Sequence, residues 1–233
     1  MIKSLQSKIA LITGANGGLG TSVTQASLDA GATVVGVSRN IRQADFDHPS
    51  FVAMATELSS GDAVNSLVDQ VAAKFGRIDV LAHLVGGFAG GKTIAEMDDA
   101  TFESMLDLNL RSALYVLRSV IPQMRHTGNG RIIAIASRAA ENPGPGVGAY
   151  SASKAALVSL IRTVALENKD RGITANVILP GTIDTPANRK AMPNADTRTW
   201  VQPASIASLI VWLASEAGKD VNGAVIPVYG GGL

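Results

Sequence analysis

Three side chains and one loop stand at spacings that permit proton and hydride chemistry. Tyr150 and Lys154 are four residues apart, Ser137 lies thirteen residues before the tyrosine, and Thr13-Gly14-Ala15-Asn16-Gly17-Gly18-Leu19-Gly20 sits near the N-terminus. If residues 150–154 are helical, a spacing of four puts both side chains on one face, with the ammonium near the phenol. A phenol ionises at about pH 10, and a nearby cation favours the phenolate, so the expectation is a lowered Tyr150 pKa. Such a group exchanges a proton close to neutral pH. Hydride arriving at a carbonyl carbon leaves negative charge on the oxygen. That oxygen then needs a hydrogen-bond donor and a proton source within about 3 Å, and Ser137 and Tyr150 supply both types.

These residues need a scaffold, and composition limits what it is. A chain of 233 residues fits one large α/β domain, 1–233, able to bury roughly 70% of the surface it exposes unfolded. The net charge of +1 comes from 20 basic and 19 acidic residues without a long block of one sign, which argues against nucleic acid or a membrane surface as partner. There are no cysteines, so disulfides and thiolate metal sites are excluded, and no metal is called for. Residues 1–8 are too short and polar for a secretory apolar segment, and no apolar run approaches the roughly 20 residues of a membrane helix. The expectation is a cytoplasmic protein acting on a small molecule.

Apolar runs at 8–13, 33–38, 51–57, 80–85, 131–137, 174–179 and 224–228 predict strands, and segments such as 19–30, 63–75 and 99–124 carry helical periodicity. That alternation predicts a parallel sheet covered by helices on both faces. Runs such as 9–12 and 132–136 are apolar at consecutive positions, as a strand buried on both sides requires. Three longer irregular stretches, 86–98, 138–148 and 180–203, each follow a predicted strand. They therefore gather at the carboxyl edge, where open α/β sheets bind ligands.

The loop at 13–20 follows the first strand and opens a helix. Gly14, Gly18 and Gly20 permit the tight turn and leave backbone N–H groups to seat a pyrophosphate, with Asn16 and Leu19 beside them. The end of the second strand normally meets the adenosine ribose, and here reads Val37-Ser38-Arg39-Asn40. It has no acid to hold a ribose 2′-hydroxyl, whereas Ser38 and Arg39 suit a 2′-phosphate, with Arg42 as a second cation. NADP(H) is favoured and NAD(H) is admissible.

On these residues, together with Asn109 and with Pro180-Gly181 ahead of Thr185, the chain resembles the short-chain dehydrogenase/reductase family over essentially its whole length. The resemblance implies a Rossmann-type doubly wound parallel sheet of about seven strands and a carbonyl–alcohol oxidoreductase. It implies that Tyr150 is general acid or base, that Ser137 hydrogen-bonds the substrate oxygen, and that Lys154 binds nicotinamide ribose and lowers the tyrosine pKa. Asn109, at a break in its helix, would hold a water linked to the lysine. Thr185 and the backbone at Ile183 would grip the nicotinamide end, beside Pro180, Gly181 and Gly86. Glu57-Leu58 stands where the family's adenine contact lies.

The chain departs from the family pattern in places. His83-Leu84-Val85-Gly86 replaces Asn-Asn-Ala-Gly, with His83 expected as a satisfied structural histidine that ties strands together, and Tyr229 replaces a frequent aspartate. Segments 86–91 and 184–196, followed by Trp200, are similar to those of dihydropteridine reductases, which reduce a flat quinonoid dihydropterin without the usual serine. That gives a second reading, pterin reduction. A third is a non-catalytic NADP-binding sensor, against which the intact Ser137, Tyr150 and Lys154 argue. The 180–203 stretch reads as a lid, in which Arg189 and Lys190 are candidates for an anionic ligand, while Phe88 and Trp200 are candidates to stack on substrate. Small residues on the Tyr150 helix permit close helix approach, and the resemblance implies a dimer or homotetramer through it and the 99–124 helix.

Overall fold

Alternate residues of strand β1 (Ile9–Thr13) enter different cores: Leu11 lies in one, Ala10 and Ile12 in the other. A strand buried on both sides has no polar face to show, which is why its sequence runs apolar without alternation. In the computed structural model, which describes residues 3–231, β1 is central to a seven-stranded parallel sheet. The ends of the expected domain, residues 1–2 and 232–233, lie outside the described residues. The other strands are β2 (Thr33–Ser38), β3 (Phe51–Ala55), β4 (Val80–His83), β5 (Gly130–Ile135), β6 (Ile173–Pro180) and β7 (Val225–Val228). Their order is β3-β2-β1-β4-β5-β6-β7, and every pairing is parallel.

Helices α1 (Gly20–Asp29) and α7 (Pro203–Ala214) cover one face, while α2 (Gly61–Phe75), α4 (Ser112–Thr127) and α5 (Gly148–Glu167) cover the other. The chain leaves β1 for β2 on one side and reaches β4 on the other, so a crevice opens at the carboxyl ends of β1 and β4. None of the described helices is long and apolar enough to cross a membrane.

The elements depart from expectation where function concentrates. The helix expected over 99–124 is three segments: α3 (Asp99–Leu106), a π-helical turn Asp107–Arg111, and α4. A π turn inserts a residue that no 3.6-residue periodicity signals. The 180–203 stretch is not featureless: it holds α6 (Pro186–Ala191) and a 3-10 turn at Thr197–Thr199, and Ile183 pairs with Val201 in a one-residue parallel bridge. Strand β5 stops at Ile135, so Ser137 sits past the sheet edge in extended backbone.

Candidate active site

The loop from β1 into α1 is built by close approach of backbone. Gly14 adopts φ 70°, which favours glycine, and a Cβ on Gly20 would overlap the Gly14 carbonyl at 1.9 Å. Helix α1 has no side-chain cap and no acid in its first turn, unlike α2 and α3, which Ser60 and Asp98 cap. Thr21 N bonds the Gly17 carbonyl at 2.9 Å, and no side chain takes the other first-turn N–H groups, so those and the positive dipole end stay available to an anion.

From this loop runs a groove of about 860 Å³. It is lined by Gly14, Asn16, Gly18, Leu19 and Gly20, by Ser38 and Arg39 at the end of β2, by Glu57 and Leu58 after β3, and by Gly86 after β4. All ten of these are residues the sequence singles out for a dinucleotide. Leu58 is also core, 7% exposed, so it offers an apolar wall rather than a mobile contact. The outer wall, Glu103, Asp107, Arg111 and Tyr115 from α3 to α4, carries no sequence motif and went unpredicted. Two contacts join the groove to the remaining candidates. A Cβ on Gly18 would stand 2.8 Å from Thr185 Cβ, and one on Gly86 would stand 2.8 Å from both Asn109 Oδ1 and Lys154 Nζ. The shape suits a dinucleotide laid across the sheet edge, with its phosphates at α1 and its far end toward Lys154.

Ser137 caps the 3-10 turn Arg138–Ala140, its Oγ accepting from Ala139 N at 3.1 Å, and its hydroxyl lies close enough to the Tyr150 phenol to lower that group's pKa. Tyr150 and Lys154 occupy one face of α5. Lys154 is 4% exposed and donates from Nζ to the Ile135 carbonyl at 3.0 Å. Asn109 is fully buried in the π turn. Its Oδ1 accepts from Gly87 N at 2.9 Å, and its Nδ2 donates to Gly87 O at 3.1 Å and to Ser153 Oγ at 3.1 Å. The π turn thus turns one amide side chain inward to fix the loop after β4 and the start of α5 together.

Electrostatics correct one expectation. Burial raises the Tyr150 pKa, opposed by the weaker pull of the Ser137 hydroxyl, and Lys154 does not reverse it. Burial also lowers Lys154 to about 8. The physical reason is that desolvation penalises both charged forms, while the ammonium is directed at a strand carbonyl. His83 is likewise only half as expected. Its Nδ1 meets Thr13 Oγ1 at 3.0 Å and ties β4 to β1, but Nε2 has no partner. Burial, then the Lys154 charge, pull the imidazole down to about 3.

Other candidates are placed differently from expectation. Arg39 is exposed at the groove, but Arg42 is committed to Asp45, whose carboxylate also receives Asn16 Nδ2 at 3.2 Å. The expected second cation is therefore already neutralised. Arg189 closes a bidentate pair with Asp184 at 2.6 and 2.8 Å, so it braces α6 rather than facing a ligand, while Lys190 is exposed. Phe88, 67% exposed, stands edge-on to Tyr150 with ring centroids 5.0 Å apart. Trp200 closes the 3-10 turn and makes no ring contact among the described residues. Pro180 ends β6, Gly181 follows it tight against the Tyr229 backbone, and Ile183 lies in the bridge to Val201. Thr185 is 8% exposed and caps α6. The Arg138 guanidinium lies over the Tyr229 ring at 5.3 Å, a pairing that no spacing rule anticipates.

Comparison with known proteins gives one family. The profile described as short chain dehydrogenase matches residues 8–196. The chain is 31% identical to the 7alpha-hydroxysteroid dehydrogenase of Escherichia coli (strain K12) over 98% of this chain and 95% of that protein. Among solved structures, the 3-ketoacyl-(acyl-carrier-protein) reductase from Brucella melitensis complexed with NADH superposes with TM-score 0.87 at 26% identity, covering 98% of this chain and 99% of that one. The aldohexose dehydrogenase of Thermoplasma acidophilum, in ligand-free form, reaches TM-score 0.90 at 25% identity, covering 100% and 96%.

Proposed function

This chain belongs to the short-chain dehydrogenase/reductase family, and from that premise we propose that it is an NADPH-preferring reductase of a small carbonyl compound, running in reverse on the alcohol. One observation carries the reading: Ser137, just past the end of β5, lies close enough to the Tyr150 phenol to pull its pKa down, while Lys154 is buried on the tyrosine's helix face and bonds the Ile135 carbonyl at the same strand end. When bound, the reduced nicotinamide supplies the hydride. Ser137 donates a hydrogen bond to the substrate oxygen, and the Tyr150 phenol delivers its proton to the same oxygen as charge develops there. Lys154 and Asn109 hold the far end of the groove, and Thr185 fixes the loop that closes over Gly18. The cofactor's phosphates fit the uncapped N-terminus of α1.

Preference for NADPH rests on Ser38 and Arg39 at the groove and on the absence of an acid at the end of β2. Assembly into a dimer or tetramer rests on exposed apolar residues of the helices the family pairs, Leu114 on α4 and Leu166 on α5, the latter 73% exposed. The substrate class rests on Phe88, whose exposed ring beside Tyr150 offers a flat apolar surface. The same ring favours a second reading, reduction of quinonoid dihydropterin. The deciding experiment follows NADPH oxidation against a panel of ketones, aldehydes, quinones and quinonoid dihydropterin. Turnover of carbonyls supports the first reading, and turnover of the pterin alone replaces it with the second.

A further inference from the structure

The crossing from β2 to β3 runs through residues 39–50 and holds no α-helix, only a 3-10 turn at Gln43–Asp45. Parallel strands are usually joined through a helix, and without one this connection lies along the outer edge of the sheet. Two anchors hold it there. Gln43 bonds the edge strand β3 twice, its Nε2 donating to Phe51 O at 2.8 Å and its Oε1 accepting from Ala53 N at 3.1 Å. Phe46 is buried and packs on the Phe51 ring with centroids 4.7 Å apart. Asp45 lies between these anchors, so its carboxylate is fixed in place.

That carboxylate meets the wall of the cofactor groove. Asn16, which lines the groove with Ser38 and Arg39, donates from Nδ2 to Asp45 Oδ2 at 3.2 Å. Asn16 also lines a second hollow, with Asn40, Arg42, Asp45 and Phe46, so the two cavities adjoin at Asn16 and at the step from Arg39 to Asn40. Arg42 donates from its backbone N to Asp45 Oδ2 at 3.1 Å and from Nε to Oδ1 at 3.3 Å. The pair is unequal: the Asp45 side chain is 16% exposed and that of Arg42 is 81% exposed. The acid is the fixed member, and the guanidinium, held by one long contact, is the movable one. The Arg42 backbone N–H, more than its guanidinium, holds the Asp45 carboxyl below its ordinary value, so it is charged at neutral pH.

We propose that Asp45 is a specificity-determining residue for the cofactor: it competes with a ribose 2′-phosphate for Arg42, and so restrains the preference for NADPH that Ser38 and Arg39 create. This rests on the reading that Arg39 marks the ribose end of the groove. In the free protein Arg42 and Asp45 cancel, which leaves Arg39 to face the phosphate. To draw Arg42 across, the phosphate must break the contact with Asp45 and leave that carboxylate unpaired nearby. NADH has a hydroxyl at the same position, so neither the competition nor the repulsion acts on it. An acid at the end of β2 would exclude the phosphate by direct contact. Asp45 stands behind Asn16 and already paired, and therefore weakens the binding without excluding it.

Asp45→Asn keeps an acceptor oxygen for the Arg42 backbone and Asn16 while removing the charge, so the turn is retained. Fluorescence titration is expected to show NADPH bound about three- to tenfold more tightly, the scale of one exposed charge pair, with NADH within about twofold of wild type. Arg42→Ala is expected to move the other way, weakening NADPH by a similar factor, because it leaves the carboxylate unpaired. Both differences shrink in about 1 M salt, where charges are screened beyond about 3 Å, a response that a merely structural role of the turn would not give. NADPH affinity in Asp45→Asn equal to or below wild type would overturn the proposal, as would an equal gain for NADH. Arg39→Ala runs in parallel. If it loses NADPH selectively while Asp45→Asn matches wild type, only the Asp45 role fails. If it weakens both cofactors equally, the reading of the ribose end fails, and the Asp45 role with it.

Discussion

Lys154 directs its ammonium at the carbonyl of Ile135, 3.0 Å away, rather than at the phenol of Tyr150 one turn earlier on the same helix. In the free protein the pair is therefore not a phenolate stabilised by a cation. It is two buried groups, each held toward its neutral form by desolvation, with Lys154 at about 8 and Tyr150 above its ordinary value. Occupancy of the groove is what must complete the site.

This has a stability signature. Lys154 has an ordinary pKa of 10.5 and a folded value of about 8, so between those pH values the unfolded chain binds the proton that the folded chain has released. Stability of the free protein then rises with pH through that window, by at most about 1.4 kcal/mol per pH unit from this group. Below pH 8 the full cost of the buried charge is present. Denaturant unfolding of wild type and Lys154→Met across the window measures it, and the variant is expected to lack the rise.

Gly86→Ala places a methyl where Asn109 Oδ1 and Lys154 Nζ each stand at 2.8 Å. Overpacking of this kind costs about 1–3 kcal/mol, but here the displaced atoms belong to the site. The expected result is a modest loss in melting temperature and a much larger fall in kcat. A variant equal to wild type in turnover would detach Asn109 and Lys154 from the chemistry.

Arg39→Ala removes the exposed cation at the ribose end of the groove. A hydrogen bond to a charged group contributes about 1.5–3 kcal/mol, so NADPH affinity is expected to fall by roughly ten- to a hundredfold while NADH affinity changes little. Fluorescence titration of both cofactors checks this. Equal loss for both would show that Arg39 does not read the 2′-phosphate.

Leu166→Asp on α5 puts a charge on an apolar residue that is 73% exposed. If α4 and α5 form the subunit interface, sedimentation shows a smaller species than wild type, with the circular dichroism of the fold retained. A wild type that is already monomeric would contradict the assembly.

Much of this was legible in the sequence, for identifiable reasons. The inner strands β1, β2, β4, β5 and β6 could be read because each is buried on both faces and so runs apolar, as 9–12 and 132–136 do, while the edge strands β3 and β7 are only part-buried but still mostly apolar. The groove could be read because most glycine requirements are local: Gly14 needs its positive φ and Gly20 its close approach to the Gly14 carbonyl, whereas the need at Gly18 arises against remote Thr185. Long-range electrostatics could not. That Lys154 turns to the Ile135 carbonyl and that His83 Nε2 lacks a partner depend on distances between segments remote in sequence, whereas the Arg42–Asp45 pair is only three residues apart and went unpredicted all the same. The π turn at Asp107–Arg111 was legible only through the resemblance, which implies a break at Asn109, because an inserted residue leaves the apolar pattern on both sides intact.

In the proposed reaction the Tyr150 hydroxyl is the proton donor. Tyr150→Phe removes that oxygen and keeps the ring that packs against Phe88. The most direct measurement compares NADPH binding by fluorescence with NADPH oxidation on the panel substrate that wild type turns over fastest. The expected result is wild-type cofactor affinity with kcat lowered by at least about a hundredfold, the usual contribution of a general acid. A Tyr150→Phe enzyme that binds NADPH and retains most of its turnover would contradict it.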